Sequence, residues 1–426
     1  MAGAWALNAA PPVFADTNAP PLTLDQALQS AREQNPDIRA ARQAWQVKRS
    51  DLRAAGTWAN PTFSYVDENF PSGTSGGAAE KIRHYRIEQT LPFPGKLTAE
   101  SRLKYHEVLI AEAGYRARTL DVLRDVRMRF YQLYLTDRQI LLASESLDVL
   151  KDALRVAQSR LASNQASASD VFMAETELGK MNNELFQAQQ ERVLVQIQLN
   201  TLLNQAPDAP LGPAQAPELK DLPASLSDLE GLAQRNDPSY RSALHEIDHA
   251  RAMVARERLN FAPDFGFMYE RETTPSGPDG RQIGFSVNLP LWLERPWGKY
   301  QSAREHMIEA EAQSQAMRNE VTRGVAMEFV ETNTHLHLAR NYEDDILPSA
   351  FSNVKIAREQ YATGQADFVR LLEAFRSWID AHNGYEEQIY HYGEHWAELE
   401  RWVGIDLSQA NKTPDSSKVM PPEGRP

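Results

Sequence analysis

The sequence has 426 residues, a formal net charge of −13 at pH 7 and no cysteine. The negative charge argues against nucleic-acid binding, because no basic stripe is present that would displace counterions from phosphates. The lack of cysteine excludes a disulfide framework, a thiolate metal site and a thiol nucleophile. No apolar run reaches the ~18 residues that a membrane-spanning helix requires.

Residues 1–21 form a leader that contains no lysine or arginine and is rich in alanine and proline. Val13-Phe14-Ala15 before Asp16 resembles the small-residue cleavage site of a secretory signal. The positively charged start and the full apolar core of such a signal are missing. Two interpretations remain open, a shortened signal region and an unstructured leader.

The first predicted elements are helical and run from Leu22 to Trp58, with a break at Asn35-Pro36. Proline cannot continue the helical hydrogen-bond ladder, and it moves the preceding residue out of the helical region. Two strand-like segments follow between about residues 61 and 92, with alternating apolar and polar side chains. A polar, glycine-rich stretch at residues 71–77 lies between them and predicts a loop.

A very long helix is predicted from about Leu97 to Ser163, because this stretch contains no proline and its apolar residues recur at helical spacing. At 1.5 Å per residue, about 65 residues extend over roughly 100 Å. Helices of globular domains average only about 11–12 residues. Such a length is typical of a coiled coil, a repeat array or a helical tube. A short turn at residues 163–169 precedes a second helix that ends near Leu203.

A linker at residues 205–225 is rich in proline, which blocks both helices and central strands. Beyond the linker the same order of elements returns: helices to about Asn260, a strand pair at about 263–291, a long helix from about Gly298 to Thr363 with a kink at Pro348, and a last helix from Asp367 to about Trp402. Residues 405–426 are polar and rich in proline, which predicts a disordered tail.

The second half of the chain therefore repeats the first, shifted by about 200 residues. Asn35-Pro36 returns as Asp237-Pro238, for example. A repeat of this length is a whole unit of several elements that has been copied once. We expect two copies of one structural unit, residues 22–204 and residues 226–404.

The predicted strands have one apolar, aromatic-rich face and one polar face. In the second copy the apolar face carries Phe265, Phe267, Ile283, Phe285, Val287 and Leu289. Strands of nine or ten residues with this pattern occur in membrane barrels, whose outer face meets lipid. An ordinary antiparallel sheet that packs on a core alternates in the same way. Because open edges are not tolerated in lipid, four membrane strands would need further chains to close a barrel, and three chains would supply twelve strands.

Together and in this order, these features resemble the TolC-type outer-membrane factors, the exit ducts of Gram-negative efflux pumps and type I secretion systems. The resemblance is carried by residues 22–28 before Asn35-Pro36, by the strand pair ending in Leu91-Pro92 and by the turn at residues 361–367. It implies a mainly α fold with a membrane β-barrel. A homotrimer would form a twelve-stranded barrel in the outer membrane, with four strands per chain, and a long α-helical tunnel in the periplasm.

The resemblance also implies a passive channel that an adaptor protein and an inner-membrane pump open at its periplasmic tip. It implies no enzymatic activity and no cofactor. Phe93-Pro94-Gly95-Lys96 is similar to the branch that exports heavy-metal cations, so metal cations or small toxic compounds are the implied cargo. The rival interpretation is a soluble periplasmic coiled-coil scaffold without a pore, in which the apolar strand faces would pack on protein.

The resemblance places the contact with the adaptor at the two turns between the long helices. These tip residues are Ala162, Ser163, Asn164 and Gln165 in the first copy, and Thr363, Gly364 and Gln365 in the second. Small side chains there would let a partner's helical hairpin approach closely. Any tight helical turn favours such residues, so the turn itself is an alternative explanation.

The resemblance further implies acidic rings at a constriction near the start of the last helix. The sequence has Arg370 and Glu373 there, and the matching positions of the first copy are Asp170 and Met173. Glu373 and Asp170 would place carboxylates in the pore and favour cations. Asp367 would pair with Arg370 at helical spacing. The alternative is an ordinary helix start, where acidic residues complement the helix dipole.

Two histidine pairs have the spacing of a possible metal-ligand face. His391 and His395 lie four residues apart with Glu387 one turn before them, and His245 and His249 repeat the spacing. Because the chain has 10 histidines, we expect such pairs by chance and predict no specific metal site. No nucleophile–base pair or phosphate loop is present, and we predict no catalytic residue.

Overall fold

The computed structural model describes residues 20–70, 80–274 and 277–407. Most of the predicted leader, the loop at residues 71–77 and most of the predicted tail lie outside these ranges. Within them the chain forms nine α-helices, one π-helical turn and four β-strands. None of the described helices is both long and apolar enough to span a membrane.

The elements follow one another in the same order in each half of the chain. The first half contains α1 (Leu24–Gln34), α2 (Pro36–Ala55), β1 (Thr62–Phe70), β2 (Glu80–Leu91), α3 (Lys96–Ala162) and α4 (Ala168–Leu202). The second half contains α5 (Leu226–Asn236), α6 (Pro238–Leu259), β3 (Asp264–Thr273), β4 (Gly280–Asn288), α7 (Glu294–Asn341), the π-helical turn Tyr342–Ile346, α8 (Leu347–Thr363) and α9 (Phe368–Val403).

The chain has two compact units, and each draws on both halves. The helical unit comprises the chain up to Arg39, Arg118–Asp237 and the chain from Val321. The sheet unit comprises Ala40–Ala117 and Pro238–Glu320. A compact unit is therefore not a sequence copy, because residues of both copies are needed to build each one.

The helix break at Asn35-Pro36 is stabilised by the asparagine side chain. Asn35 Oδ1 accepts hydrogen bonds from the backbone N–H groups of Asp37, at 2.9 Å, and Ile38, at 3.2 Å, and so caps α2. Its Nδ2 donates to the carbonyl of Leu202 at 2.9 Å. The sequence predicts the break, whereas the contact with the end of α4 is a long-range feature of the fold.

The predicted kink near Pro348 is a shift in the helical hydrogen-bond pattern. The ladder of α7 passes into the π-helical turn Tyr342–Ile346 immediately before α8 begins at Leu347. Pro348 has no backbone N–H, and its ring would clash with the carbonyl four residues earlier in a regular helix. A π-turn inserts one residue and relieves that clash, so the disturbance lies one turn before the proline.

Gly404 ends α9 in a left-handed conformation that only glycine adopts readily. Its φ is +80°, and its N–H donates to the carbonyl of Glu400 at 2.9 Å. A Cβ atom at this position would lie 2.6 Å from the carbonyl oxygen of Asn236. Backbone conformation and close packing therefore both require glycine here.

Replacing Gly404 by alanine should destabilise the protein by about 2–4 kcal/mol, because left-handed strain and a backbone clash act together. Thermal unfolding of the detergent-purified protein, followed by circular dichroism, measures the effect. Gly179 is the matched control, because it lies within α4 and nothing is found within 4 Å of a Cβ added there. Gly179→Ala should raise the stability slightly. Equal melting temperatures for Gly404→Ala and the wild type would contradict the argument.

The four strands form one antiparallel sheet in the order β1-β2-β3-β4. The register aligns Phe63 with Ile87, Ile87 with Tyr269, and Tyr269 with Ile283. The side chains predicted for one apolar face therefore share that face, since directly opposed residues point to the same side of a sheet. The central pairing of β2 with β3 joins the two sequence copies.

Most side chains on the apolar face of the sheet are exposed within the part of the chain that the structure describes. Phe285 is 80% exposed and Ile283 is 64% exposed, and Phe265 and Val287 are exposed as well. Phe267 is half-buried, and its ring lies 5.5 Å from that of Phe285. Leu289, the remaining residue predicted for this face, is exposed but lies just beyond the end of β4 at Asn288. Within the described ranges, this sheet does not bury its apolar face, which disfavours the ordinary packed-sheet interpretation.

The opposite face of the sheet carries paired charges. Glu270 is buried, and its carboxylate contacts His84 Nδ1 at 2.6 Å and accepts a hydrogen bond from Arg86 Nε at 2.9 Å. His84 Nε2 lies 3.7 Å from a carboxylate oxygen of Glu68. The two faces therefore differ sharply, with uncovered aromatic rings on one and compensated charges on the other.

Candidate functional site

The turn between α3 and α4 is a tight connection built on one left-handed residue. Asn164 has a φ of +57°, which asparagine tolerates better than most residues. The N–H of Gln165 donates to the carbonyl of Arg160 at 2.8 Å, which satisfies the end of α3. Ser167 begins α4, and its side chain accepts a hydrogen bond from the N–H of Ser169 at 3.1 Å.

The turn between α8 and α9 has the same construction. Gly364 takes the left-handed position with a φ of +77°, and the N–H of Gln365 donates to the carbonyl of Gln360 at 2.8 Å. Asp367 begins α9. All of the predicted tip residues are exposed: Ala162, Ser163, Asn164, Gln165, Thr363, Gly364 and Gln365. The two turns are therefore equivalent and open to a partner.

Arg160 connects the two turns. Its guanidinium lies over the ring of Tyr361, 4.6 Å from the ring centroid, and Nη1 donates to the carbonyl of Tyr361. Nη2 donates to the carbonyl of Gln165 at 3.3 Å. An arginine stacked on an aromatic face while it donates to two carbonyl groups holds both turns in one arrangement. The sequence alone did not predict this contact.

A small apolar core lies directly behind the turns. Tyr361 and Phe368 are buried, and their rings meet edge to face with centroids 5.6 Å apart. Ala174 and Leu372 complete the buried cluster, and Met173 packs against it. Met173 is the first-copy counterpart of Glu373, so the first copy uses this position for packing.

The predicted gate residues do not pair with one another. Glu373, Arg370 and Asp367 are exposed and Asp170 is half-buried, and among the described residues none of the four forms an ion pair. Asp367 Oδ1 accepts a hydrogen bond from the backbone N–H of Arg370 at 3.0 Å and so caps α9. The predicted side-chain pair between Asp367 and Arg370 is therefore replaced by a helix cap, because the aspartate precedes the helix and faces its free N–H groups.

A charged pair that sequence reasoning missed links α4 with α9. Arg376 donates two hydrogen bonds to Glu177, from Nε at 2.8 Å and from Nη2 at 2.5 Å. Glu177 is only 8% exposed, and Lys180 Nζ lies 3.6 Å from the same carboxylate. The hydrogen bond from Arg376 holds the pKa of Glu177 below its ordinary value, although burial opposes that shift. The pair lies one helical turn beyond Glu373 and joins the two copies close to the tip.

The histidines on α9 have different neighbours from those expected. Glu387 is exposed, and His395 lies instead beside Glu331 and His335 of α7, with one ligand atom of each within 4.8 Å of the others. The ring of His335 is stacked on that of His395 with centroids 5.2 Å apart. Sequence reasoning paired residues along one helix, whereas this group forms between two helices.

Comparison with known proteins identifies similar chains over nearly the whole length. A family model described as outer membrane efflux protein matches residues 27–205 and 229–404. The cobalt-zinc-cadmium resistance protein CzcC of Cupriavidus metallidurans is 23% identical over 372 residues, which cover 87% of each chain.

Solved structures show the same fold. CusC matches with a TM-score of 0.79 at 17% identity, over 90% of this chain and 92% of that chain. The outer membrane protein VceC of Vibrio cholerae matches with a TM-score of 0.78 at 18% identity, over 90% and 96% of the two chains. The similarity therefore extends through both copies, including the sheet and both tip turns.

Proposed function

This chain belongs to the outer membrane efflux protein family, and we propose that it is the exit duct of a tripartite pump that exports heavy-metal cations. The family match confirms the resemblance predicted from the sequence. The fold class and the location in the outer membrane, extending into the periplasm, agree with that family. The observation that carries the cargo proposal is the similarity to the cobalt-zinc-cadmium resistance protein over 87% of both chains.

The proposed assembly follows from the sheet. β1 and β4 form the two edges of the four-stranded sheet, and an open edge is not tolerated in lipid. Three chains that pair β4 of one with β1 of the next would give a closed barrel of twelve strands, an even number within the known range. The uncovered side chains of Phe265, Ile283 and Phe285 would then face the acyl chains, and the Glu270 cluster would face the water-filled interior.

The proposed gate and docking surface lie at the helical tip. Adaptor docking on the two exposed turns would favour an open arrangement of the inner helices, which requires the adaptor to bind the open state more tightly. Arg160 and the Arg376–Glu177 pair hold the helices of the two copies together behind these turns. Energy for export would come from an inner-membrane pump, and the duct itself has no catalytic role in this proposal.

The soluble scaffold is the second candidate function. It requires the apolar strand faces to pack on protein, yet Phe285 and Ile283 are 80% and 64% exposed. The family assignment also counts against it. A purified protein that is monodisperse in buffer without detergent would nevertheless contradict the proposal of a membrane duct.

The cargo proposal is tested in a strain that lacks the gene. Loss of the duct should lower tolerance to Co²⁺, Zn²⁺ and Cd²⁺, and the wild-type gene should restore it. Tolerance to hydrophobic drugs and secretion of a protease serve as controls for the other cargo classes. A strain that loses drug tolerance or protease secretion while its metal tolerance is unchanged would contradict the metal cargo.

Glu373→Gln should lower the preference of the channel for cations over anions by roughly twofold or more, because a trimer loses three carboxylates near its mouth. Reversal potentials across a planar bilayer with a salt gradient measure this preference. Glu359→Gln is a matched control, since Glu359 is also exposed but lies on α8, before the tip turn. Unchanged selectivity in Glu373→Gln, or an equal change in Glu359→Gln, would show that Glu373 does not contribute to the gate.

A further inference from the structure

A group of three side chains in the helical unit has the composition of a metal site. Glu331 and His335 lie four residues apart on α7, so they share one face of that helix. His395 on α9 completes the group, and one ligand atom of each residue lies within 4.8 Å of the others. His335 Nε2 is 3.9 Å from Glu331 Oε2. We propose that Glu331, His335 and His395 bind one divalent cation of the Zn²⁺ class.

The surrounding side chains already hold both imidazoles in the orientation that metal binding needs. His395 Nδ1 lies 2.8 Å from Glu328 Oε2, and His335 Nδ1 lies 2.8 Å from Gln388 Oε1. Metal-binding histidines commonly donate their second ring N–H to a carboxylate or a carbonyl in this way, which fixes the tautomer and the ring direction. In both residues Nε2 is the nitrogen that remains for a cation.

The stacking of the rings also favours a cation between them. The planes of His335 and His395 differ by 6°, with centroids 5.2 Å apart. The ring of His391 lies 5.0 Å from that of His335, and its Nδ1 contacts Glu394 at 3.2 Å. The rings of His335 and His395 therefore already lie side by side, as two ligands of one ion must, whereas His391 contacts Glu394 and is not one of the proposed ligands.

The ligand atoms lie within 4.8 Å of one another, somewhat farther apart than in an occupied Zn²⁺ site, so the side chains must move inward when an ion binds. Ligand atoms about 2.0–2.1 Å from a tetrahedral Zn²⁺ lie roughly 3.3 Å apart. Glu331 is exposed, so rotation of its side chain can bring its carboxylate inward. Three protein ligands leave a fourth position for water.

The donor set determines which cations fit. Two imidazoles and one carboxylate suit Zn²⁺, Co²⁺, Ni²⁺ and Cu²⁺, whereas Mg²⁺ and Ca²⁺ prefer oxygen ligands alone. The chain has no thiolate that would favour soft cations. A bound cation would link α7 with α9. Histidine pairs expected by chance gave no reason to predict this site from the sequence. The partners of His395 lie 60 and 64 residues before it, at His335 and Glu331, and only the fold brings them together.

The second histidine pair of the chain provides the control. His245 and His249 have the same spacing on α6, but within the described residues they belong to no such group of three. Burial lowers the pKa of both imidazoles. The His245–His249 pair therefore tests histidine spacing without a compact group of three ligand atoms.

The test is a binding experiment on the full chain, purified in detergent and stripped of metal with a chelator. Titration with Co²⁺ should produce visible absorption bands of a low-coordinate site that saturate at one ion per chain, and Zn²⁺ should displace Co²⁺ while excess Mg²⁺ should not. His335→Gln and His395→Gln should each weaken binding at least tenfold, and Glu328→Gln should weaken it about tenfold through orientation. His245→Gln should bind like the wild type.

A loss of binding in Glu331→Gln cannot be explained by misfolding, because Glu331 is exposed and its replacement leaves the packing of α7 and α9 intact. It should also weaken Co²⁺ binding at least tenfold while the circular dichroism spectrum is unchanged. Saturation well below one ion per chain, wild-type affinity in Glu331→Gln, or an equal loss in His245→Gln would each overturn the proposal. Metal binding is measured on purified protein and does not depend on metal tolerance in cells. The proposed metal site can therefore be disproved while the proposed cargo stands, and the cargo can be disproved while the metal site stands.

Discussion

Replacing Phe285 by arginine should prevent the protein from accumulating in the outer membrane. Among the described residues Phe285 is the most exposed large apolar side chain of the sheet, 80% uncovered near the middle of β4. An arginine on the lipid face of a barrel costs about 2–4 kcal/mol at the bilayer midplane, and a trimer would carry three of them. Since native proteins are stable by only about 5–15 kcal/mol, the substitution should remove most of the assembled trimer.

Ser286→Arg is the matched control for Phe285→Arg. Ser286 follows Phe285 directly, so it lies at nearly the same depth but on the opposite, polar face of β4. Cells producing each variant are fractionated, and the amount of folded trimer in the outer membrane is measured on a gel run without heating. Ser286→Arg should reach about the wild-type level. Normal amounts of folded Phe285→Arg trimer would show that this face does not meet lipid.

Replacing Arg376 by alanine should shift the channel toward its open state. Among the described residues, the substitution leaves the buried carboxylate of Glu177 with Lys180, at 3.6 Å, as its one remaining charged partner. Removal of one partner from a buried pair costs about 3–5 kcal/mol. Arg376 is itself half-exposed, so solvent screening reduces the expected loss to about 1–3 kcal/mol. In the proposed gate the inner helices move apart on opening, so the pair forms in the closed state only, and a change of that size alters the closed–open equilibrium about 5–150-fold.

Conductance in planar bilayers measures this shift. Arg376→Ala should open more often at neutral pH than the wild type. Arg155→Ala is the control, because Arg155 is highly exposed and pairs with Asp152 at 3.0 Å one turn away on the same helix, a contact of little energetic value. The role of the pair in closure would be disproved if Arg376→Ala and Arg155→Ala behaved alike.

The same pair predicts the direction of a pH effect. The folded-state pKa of Glu177 is depressed by the hydrogen bond from Arg376. The stabilisation is therefore present above the unfolded pKa of about 4.3 and is lost as the pH falls through the lower folded value. Wild-type conductance should rise as the pH is lowered from about 6 to below 4. Arg376→Ala should show a smaller rise, because protonation of Glu177 no longer breaks a pair with Arg376 in that variant.

Local features of this chain were predictable from its sequence because they depend on neighbouring residues. Asn35-Pro36 and Asp237-Pro238 mark helix boundaries through backbone sterics that act over one turn. The two strand pairs and their faces follow from alternation with a period of two residues. The duplication was visible because it preserves these local signals at a constant shift.

Side-chain partners at the tip were not predictable in the same way. Which face of α4 meets Arg376 depends on the rotational phase of α9 against α4, and a helix rotates by about 100° per residue. A small change in phase therefore exchanges one set of partners for another. The stacking of Arg160 on Tyr361 depends in addition on how closely the two turns approach.

The sequence by itself determined the long helices, the four amphipathic strands, their duplication and the family. The tertiary structure decided that β2 pairs with β3, that Met173 packs while Glu373 is exposed, that Arg376 binds Glu177, and that His335 and Glu331 join His395. The physical reason is the separation along the chain over which each kind of interaction acts. Backbone conformation is governed by contacts within a few residues, whereas these pairs join residues from separate helices or strands, and only the packing of those elements determines which side chains meet.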